Sequence, residues 1–94
     1  MATFPSQQEV VARMRARGHM QAHQGSGAMC PLALVTNYFI SVTFWREMID
    51  GDEVQHPLPL WAKNFIFRYD THVSAPRTLG EVVEWAVAAG ILRA

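Results

Sequence analysis

The central segment of the chain reads Pro31-Leu-Ala-Leu-Val-Thr-Asn-Tyr-Phe-Ile40-Ser-Val-Thr-Phe-Trp45-Arg-Glu-Met-Ile49 and contains its longest apolar-rich stretch. Most of these residues are β-branched or aromatic types that favour strands, yet they do not alternate with polar residues as a half-buried strand requires. Wound as a helix, the segment collects polar side chains in one narrow stripe and leaves the remaining circumference apolar. The stripe consists of Thr36, Thr43, Glu47 and Asp50. We therefore predict a buried central helix from about Pro31 to Ile49, begun by the proline at its first position and ended by Asp50-Gly-Asp52.

Helix signals also flank this segment. Ser6-Gln-Gln-Glu9 and Thr78-Leu-Gly-Glu81 have the spacing of a capping box, in which a hydroxyl accepts from an amide three residues on and a carboxylate reaches back. They predict a first helix from about Gln7 to Arg17 and a last helix from about Leu79 to Ala89, both with apolar residues at helical spacing.

The segment from Trp61 to Tyr69 has two interpretations. As a helix it places Trp61, Phe65 and Tyr69 in one row, whereas as a strand Phe65, Phe67 and Tyr69 occupy alternate positions. The predicted fold class is mainly α: a compact bundle of three to four helices in a single domain over residues 1–94, with more than about half of the residues helical. A short β element near residues 65–69 makes the fold α+β, which is the alternative.

Composition restricts the class of protein. Half of the residues are hydrophobic and 17% are charged, against roughly 25% charged in ordinary domains. This apolar excess in a short chain predicts a surface that faces another protein or a second copy, as a homo-oligomer. The net charge of zero argues against nucleic-acid binding, which normally requires a basic excess. A single cysteine, no secretory-signal pattern and no apolar run of membrane-spanning length predict a cytoplasmic protein without a membrane partner.

Two patches of opposite charge and one aromatic residue are the candidate binding residues. The first helix is basic and the stretch 46–53 is acidic, so a partner of complementary charge is one interpretation and a solvated surface is the other. Trp61 lies beside a proline-rich turn, where an exposed tryptophan can anchor a partner. The candidates are Arg13, Arg17, Glu47, Asp50, Asp52, Glu53 and Trp61.

The glycine-containing loop before Pro31 is the alternative site. Its backbone amides, at a predicted helix start, favour an anion or a small ligand such as a nucleotide. The residues concerned are Gly25, Ser26, Gly27 and Cys30. No Lys-Ser/Thr follows the glycines, so the phosphate-loop fingerprint is not met.

Cys30 is the only cysteine. With His72 as base and Asp70 to orient it, the residue types suit a cysteine hydrolase, but their spacing carries no family signature. His19 and His23 lie four apart, without a recognised zinc-ligand pattern around them. We therefore expect a structural cysteine, no metal, no cofactor and no enzymatic activity.

Three short stretches carry a resemblance: Gly27-Ala-Met-Cys30-Pro-Leu-Ala-Leu34, Phe67-Arg-Tyr-Asp70 and Arg77-Thr-Leu-Gly-Glu81-Val82. In their order they resemble small uncharacterised domains of actinobacteria and their phages, a group that implies no known activity. In size and lack of catalytic motifs the chain is also similar to phage-encoded inhibitors of bacterial defence, such as anti-CRISPR proteins. The predicted function is a small non-enzymatic protein-interaction module, acting as a phage or mobile-element inhibitor of a host defence complex. Ligand binding at the glycine-containing loop is the alternative, and a Cys30 hydrolase comes third.

Overall fold

The computed structural model describes residues 3–94 and contains both helices and strands. In chain order its elements are α1 (Gln7–Ala16), α2 (Pro31–Thr36), β1 (Phe39–Ile40), β2 (Phe44–Ile49), β3 (Asp52–Pro57), α3 (Leu60–Asp70) and α4 (Leu79–Ala88). The strands form one antiparallel sheet in the order β1-β2-β3. With 40% helix and 17% strand, the chain has an α+β fold, which was the alternative prediction, and it is not a mainly helical bundle.

The first and last predicted helices are confirmed to within a residue or two. At the start of α4 the capping box is complete: the Glu81 amide donates to Thr78 Oγ1 (3.3 Å) and the Thr78 amide donates to Glu81 Oε1 (3.4 Å). At the start of α1 only half of it forms, because the Glu9 amide donates to Ser6 Oγ (3.1 Å) while the Glu9 carboxylate lies against the Ser6 hydroxyl. Both caps satisfy amides that a helix start leaves unpaired.

The predicted helix from Pro31 to Ile49 is wrong beyond Thr36. Asn37 takes a left-handed conformation with φ of 62°, and its amide donates to the Ala33 carbonyl (2.9 Å), which closes α2 after six residues. Asparagine tolerates this conformation better than most residues, and it commonly ends helices. The strand-favouring residues that follow then pair as β1 and β2.

The alternation of β2 is concealed because each of its faces mixes polar with apolar residues. One face carries Trp45, Glu47 and Ile49, and the other carries Phe44, Arg46 and Met48. Asp50 and Gly51 form the two-residue turn into β3, with φ of 51° and 83°. Positive φ at both positions is the type I′ geometry that suits a hairpin, so Asp50-Gly51 turns a strand and does not stop a helix.

The segment from Trp61 to Tyr69 is helical, so the alternative β element near 65–69 is wrong. Within α3, Phe65, Ile66 and Tyr69 are buried, and the Tyr69 hydroxyl donates to the Pro76 carbonyl (3.2 Å). α1 packs on both α2 and α4. The core is drawn from every helix and the inner face of the sheet and includes Val10, Met14, Leu32, Val35, Ile40, Trp45, Phe65, Tyr69, Leu79, Val82, Val83 and Ala86.

The chain between α1 and α2 is held by the start of α4. The Gly80 amide donates to the Gly18 carbonyl (3.1 Å), and the Ala22 amide donates to the Arg77 carbonyl (2.7 Å). A Cβ atom on Gly18 would lie 3.5 Å from the Gly80 Cα, so the two backbones are in close contact. This pairing fixes the point from which the Gly25–Cys30 loop departs. Within residues 3–94, no helix is both long enough and apolar enough to cross a membrane.

Candidate functional site

Arg13 and Arg17 lie four residues apart on α1 and both reach the end of α2. Arg13 Nη1 donates to the Val35 carbonyl (3.0 Å), and Arg17 Nη1 donates to the Leu34 carbonyl (2.8 Å). These carbonyls belong to the last turn of α2, whose oxygens have no partner within the helix. The two arginines, predicted as binding residues, therefore act as side-chain caps that fasten α2 to α1.

The structure separates the four predicted acidic residues. Glu47 faces inward, and its Oε1 lies 2.7 Å from His56 Nε2, with the two side chains 11% and 15% exposed. The His56 ring stacks on Trp45 at 4.2 Å between centroids. Asp50 and Asp52 are exposed at the hairpin turn. Glu47 is thus a structural partner of His56, whereas Asp50 and Asp52 are open to a ligand.

Trp61 lies against the core and is only half exposed. Its ring is 6.0 Å from that of Phe4, which in turn lies 5.7 Å from Trp45. Tyr38 packs on Trp45, with 4.6 Å between the two ring centroids. Trp61 therefore belongs to an aromatic cluster that ties the N-terminal segment to the sheet, and the fully exposed apolar side chains lie elsewhere.

The outer face of the sheet carries a continuous set of exposed and half-exposed side chains, here called the exposed sheet face. Arg46 is at its centre: its guanidinium carbon lies 4.0 Å from the centre of the Phe39 ring, and its Nη1 lies 3.4 Å from Glu53 Oε1. Met48, on the same face, is 66% exposed. The face consists of Phe39, Phe44, Arg46, Met48, Glu53 and Gln55. Of these only Glu53 is among the residues predicted from sequence; Asp50-Gly51 directly after a run of strand-favouring residues is the signal that indicates the hairpin.

The Gly25–Cys30 loop is ordered by its own backbone and by α3. Gly25 has φ of 68°, and its amide donates to Asp70 Oδ1 (3.0 Å). The Met29 amide donates to Ser26 Oγ (3.1 Å). A Cβ atom on Gly27 would lie 2.4 Å from the Phe39 ring, so only glycine lets that ring lie against the loop. The predicted loop residues thus do come together, and they do so beside a carboxylate.

A cleft of about 250 Å³ lies between this loop, the β1–β2 connection and α3. Its apolar lining is Phe39, Ile40, Val42 and Ile66, and its polar lining includes Ser26, Ser41 and Asp70. Within residues 3–94, Asp70 forms no ion pair. The negative charge of Asp70 opposes an anion, so the electrostatics of the cleft disfavour the phosphate or nucleotide that the glycines suggested.

Cys30 is buried and caps α2, where its Sγ accepts from the Ala33 amide (3.4 Å). Burial raises the pKa of the Cys30 thiol above its ordinary value of 9.0, and the negative charge of Asp70 adds to that effect against the backbone amides, which lower it. His72 points to other partners, since its Nδ1 accepts from the Ser74 amide (3.0 Å) and its ring meets Trp85 edge-on. Among residues 3–94, no hydrogen bond joins Cys30 to His72, and no three His, Cys, Asp or Glu side chains are grouped to hold a metal ion.

A larger groove of about 620 Å³ lies between residues 21–24 and 73–77. Gln24 closes its inner end, where its side-chain amide donates to the carbonyls of Tyr69 (2.7 Å) and His72 (2.8 Å). These hydrogen bonds hold the end of α3 to the loop before α2, and the lining of the groove also includes His23, Ser74 and Arg77.

Comparison with protein-family models, curated proteins and solved structures found no match for this chain.

Proposed function

We propose that the chain is a non-enzymatic protein-interaction module and that the exposed sheet face binds its partner. The observation that carries this proposal is the arrangement around Arg46, whose guanidinium lies on the Phe39 ring and beside Glu53. Arginine and aromatic residues are enriched among the residues that dominate binding energy at interfaces. An arginine already held by two neighbours loses less side-chain freedom when a partner docks.

Met48 and the hairpin turn complete the surface. A methionine that is 66% exposed leaves a flexible apolar side chain in solvent, and such side chains adapt to partner surfaces. Asp50 and Asp52 are exposed next to it and form no ion pair within residues 3–94. They favour a partner with a basic rim, because complementary charge mainly accelerates association.

Two kinds of partner fit this proposal. Inhibition of a bacterial defence complex by a phage or mobile-element protein is one role that such a module can perform, and a second copy of the chain is another occupant of the same face. Size-exclusion chromatography with light scattering separates these two, since a self-associating face yields a dimer whose population rises with protein concentration.

The test is affinity capture from the native host followed by binding kinetics on the protein recovered. Arg46→Ala and Met48→Asp each remove one feature of the exposed sheet face. Val73→Asp is the matched control, because Val73 is 99% exposed and lies in the loop after α3. We expect the two face variants to weaken binding by about tenfold or more, which corresponds to the roughly 1.4 kcal/mol of an energetically important contact.

The proposal fails if circular dichroism shows both face variants folded and they bind as tightly as the control. It also fails if the only protein bound is retained equally by all variants, because the contact then lies elsewhere on the molecule.

A further inference from the structure

The cleft beside the Gly25–Cys30 loop combines one carboxylate with an apolar wall. Asp70 is the last residue of α3, and one of its oxygens, Oδ1, accepts from the Gly25 amide (3.0 Å). Its Oδ2 has no hydrogen-bond partner among residues 3–94. Phe39 and Val42 supply apolar surface from the β1 side of the cleft, Ile66 supplies it one turn before Asp70 on α3, and Val42 is mostly exposed.

The charge in this cleft selects a cation. No Lys, Arg or His side chain of the described residues pairs with Asp70 or lines the cleft. The carboxylate also lies at the C-terminal end of an eleven-residue helix, where the helix dipole adds partial negative charge. Cys30 also lines the cleft, and the negative charge of Asp70 adds to the burial that raises the pKa of its thiol.

The size of the cleft and the single free oxygen of Asp70 restrict the kind of cation that fits. A volume of about 250 Å³ is below the roughly 300–1,000 Å³ of pockets that enclose a whole small molecule, so the cleft suits one side chain. A guanidinium binds carboxylates best through two parallel hydrogen bonds, but Gly25 already occupies Oδ1. An ammonium is a compact point charge on an aliphatic stem, and that stem can lie on Phe39 and Val42 while the charge reaches Oδ2.

We propose that this cleft binds one lysine side chain presented by a partner polypeptide. The inference rests on the proposed function for that partner, because Phe39 belongs both to the cleft and to the exposed sheet face. A protein docked on the face is therefore adjacent to the cleft. The glycines of the loop act here by allowing the Phe39 ring to lie against Gly27.

The experiment is a titration of the ¹⁵N-labelled full chain, followed by NMR, with four probes. These are Nα-acetyl-lysine methylamide, the norleucine analogue with the same stem and no charge, the arginine analogue, and n-butylammonium as a free amine. We expect saturable shifts at the amides of Gly25, Gly27, Val42 and Asp70 with the lysine probe, at the millimolar affinity typical of one side chain. The norleucine and arginine probes should bind more weakly, whereas n-butylammonium, which has the same stem and the same charge as the lysine side chain, should bind about as tightly as the lysine probe.

Asp70→Asn removes the charge and keeps an oxygen for the Gly25 amide, so it tests the carboxylate alone. It should weaken the lysine probe by about tenfold or more, since charge-assisted hydrogen bonds are the stronger ones. Glu84→Gln is the matched control, because it makes the same change of charge at an exposed position of α4 that does not line the cleft, and it should leave the affinity unchanged within about twofold.

Three results would overturn the proposal: no saturable shift at these amides with the lysine probe, equal binding of norleucine, or binding of arginine at least as tight as that of lysine. These outcomes do not involve the captured partner. If the titration shows no lysine site while Arg46→Ala and Met48→Asp still weaken partner binding, the lysine site is wrong and the proposed function stands.

Discussion

Arg17 provides the sharpest test of how the helices are held together. Its Nη1 donates to the Leu34 carbonyl at 2.8 Å and its side chain is half buried. A hydrogen bond to a charged group contributes about 1.5–3 kcal/mol when it is protected from water. Arg17→Met keeps an unbranched stem and nearly the same helix propensity, so it removes little besides the cap. We expect it to lower the free energy of unfolding by about 1.5–2 kcal/mol.

Arg13 makes the equivalent contact with Val35 at 3.0 Å, but its side chain is 42% exposed. Water screens such a group, so Arg13→Met should cost about 0.5–1 kcal/mol. Because both arginines cap the same end of α2, the double variant should cost less than the sum of the two single variants.

Arg15 offers a control on the same helix. Its Nε lies 3.7 Å from Glu84, and the two side chains are 48% and 72% exposed. Exposed pairs of this kind contribute little, so Arg15→Met should change the free energy of unfolding by less than about 0.5 kcal/mol.

Urea denaturation followed by linear extrapolation measures all of these variants, with an unchanged m-value as the check that the unfolding transition is the same. In a domain of this size each kcal/mol moves Tm by about 4–8 °C. Equal losses for Arg15→Met and Arg17→Met would refute the capping argument. Loss of partner binding in Arg17→Met without loss of stability would instead restore the sequence-based interpretation of this residue as a binding residue.

Two further predictions concern the Gly25–Cys30 loop. Gly27→Ala should destabilise the protein by about 1–3 kcal/mol through overpacking, because the new Cβ lies 2.4 Å from the Phe39 ring, and a double-mutant cycle by urea denaturation should show that Phe39→Leu recovers part of that loss. Burial raises the pKa of Cys30 from 9.0, and burial followed by the charge of Asp70 raises that of Tyr69 from 10.0. As pH rises, the unfolded chain therefore loses these protons before the folded protein does, so the free energy of unfolding should fall above about pH 9. Cys30→Ala should flatten the first part of that fall. An unchanged slope of the free energy against pH in this variant would show that Cys30 does not cause the fall.

Local signals were sufficient to predict α1 and α4, whereas for α3 they left helix and strand both open. Their caps and apolar spacing lie within a few neighbouring residues, and tertiary contacts do not oppose them. Local signals were not sufficient to predict the sheet, because in β2 the polar Glu47 points inward to His56 while the apolar Met48 points outward. That inversion removes the alternation by which a strand is recognised, and it leaves a spurious polar stripe at helical spacing. The strand-favouring residue types and the hairpin turn were the local signals for the sheet.

The roles of the candidate site residues depend on contacts that are distant in the sequence. Arg17 caps a carbonyl 17 residues away, a contact that no local pattern predicts. The glycines of the loop correctly indicated a place where another group approaches. The sign of the charge there is set by Asp70, 45 residues from Gly25, so the sequence suggested an anion site where the structure favours a cation.

The packing of α1 on α4 also has a consequence for how the chain folds as it is made. Beside these helices, the Arg93 amide donates to Gln7 Oε1 (2.7 Å), a contact that spans 86 residues of sequence. By contrast, β2 and β3 are joined by only two residues and can pair within microseconds. Translation at ~5–20 residues per second separates α1 from α4 by several seconds. During that interval the apolar stripe of α1 lacks its α4 neighbour. α1 is therefore synthesised well before the helix that covers it, and its stripe of Val10, Val11 and Met14 is the surface that a ribosome-associated chaperone would meet.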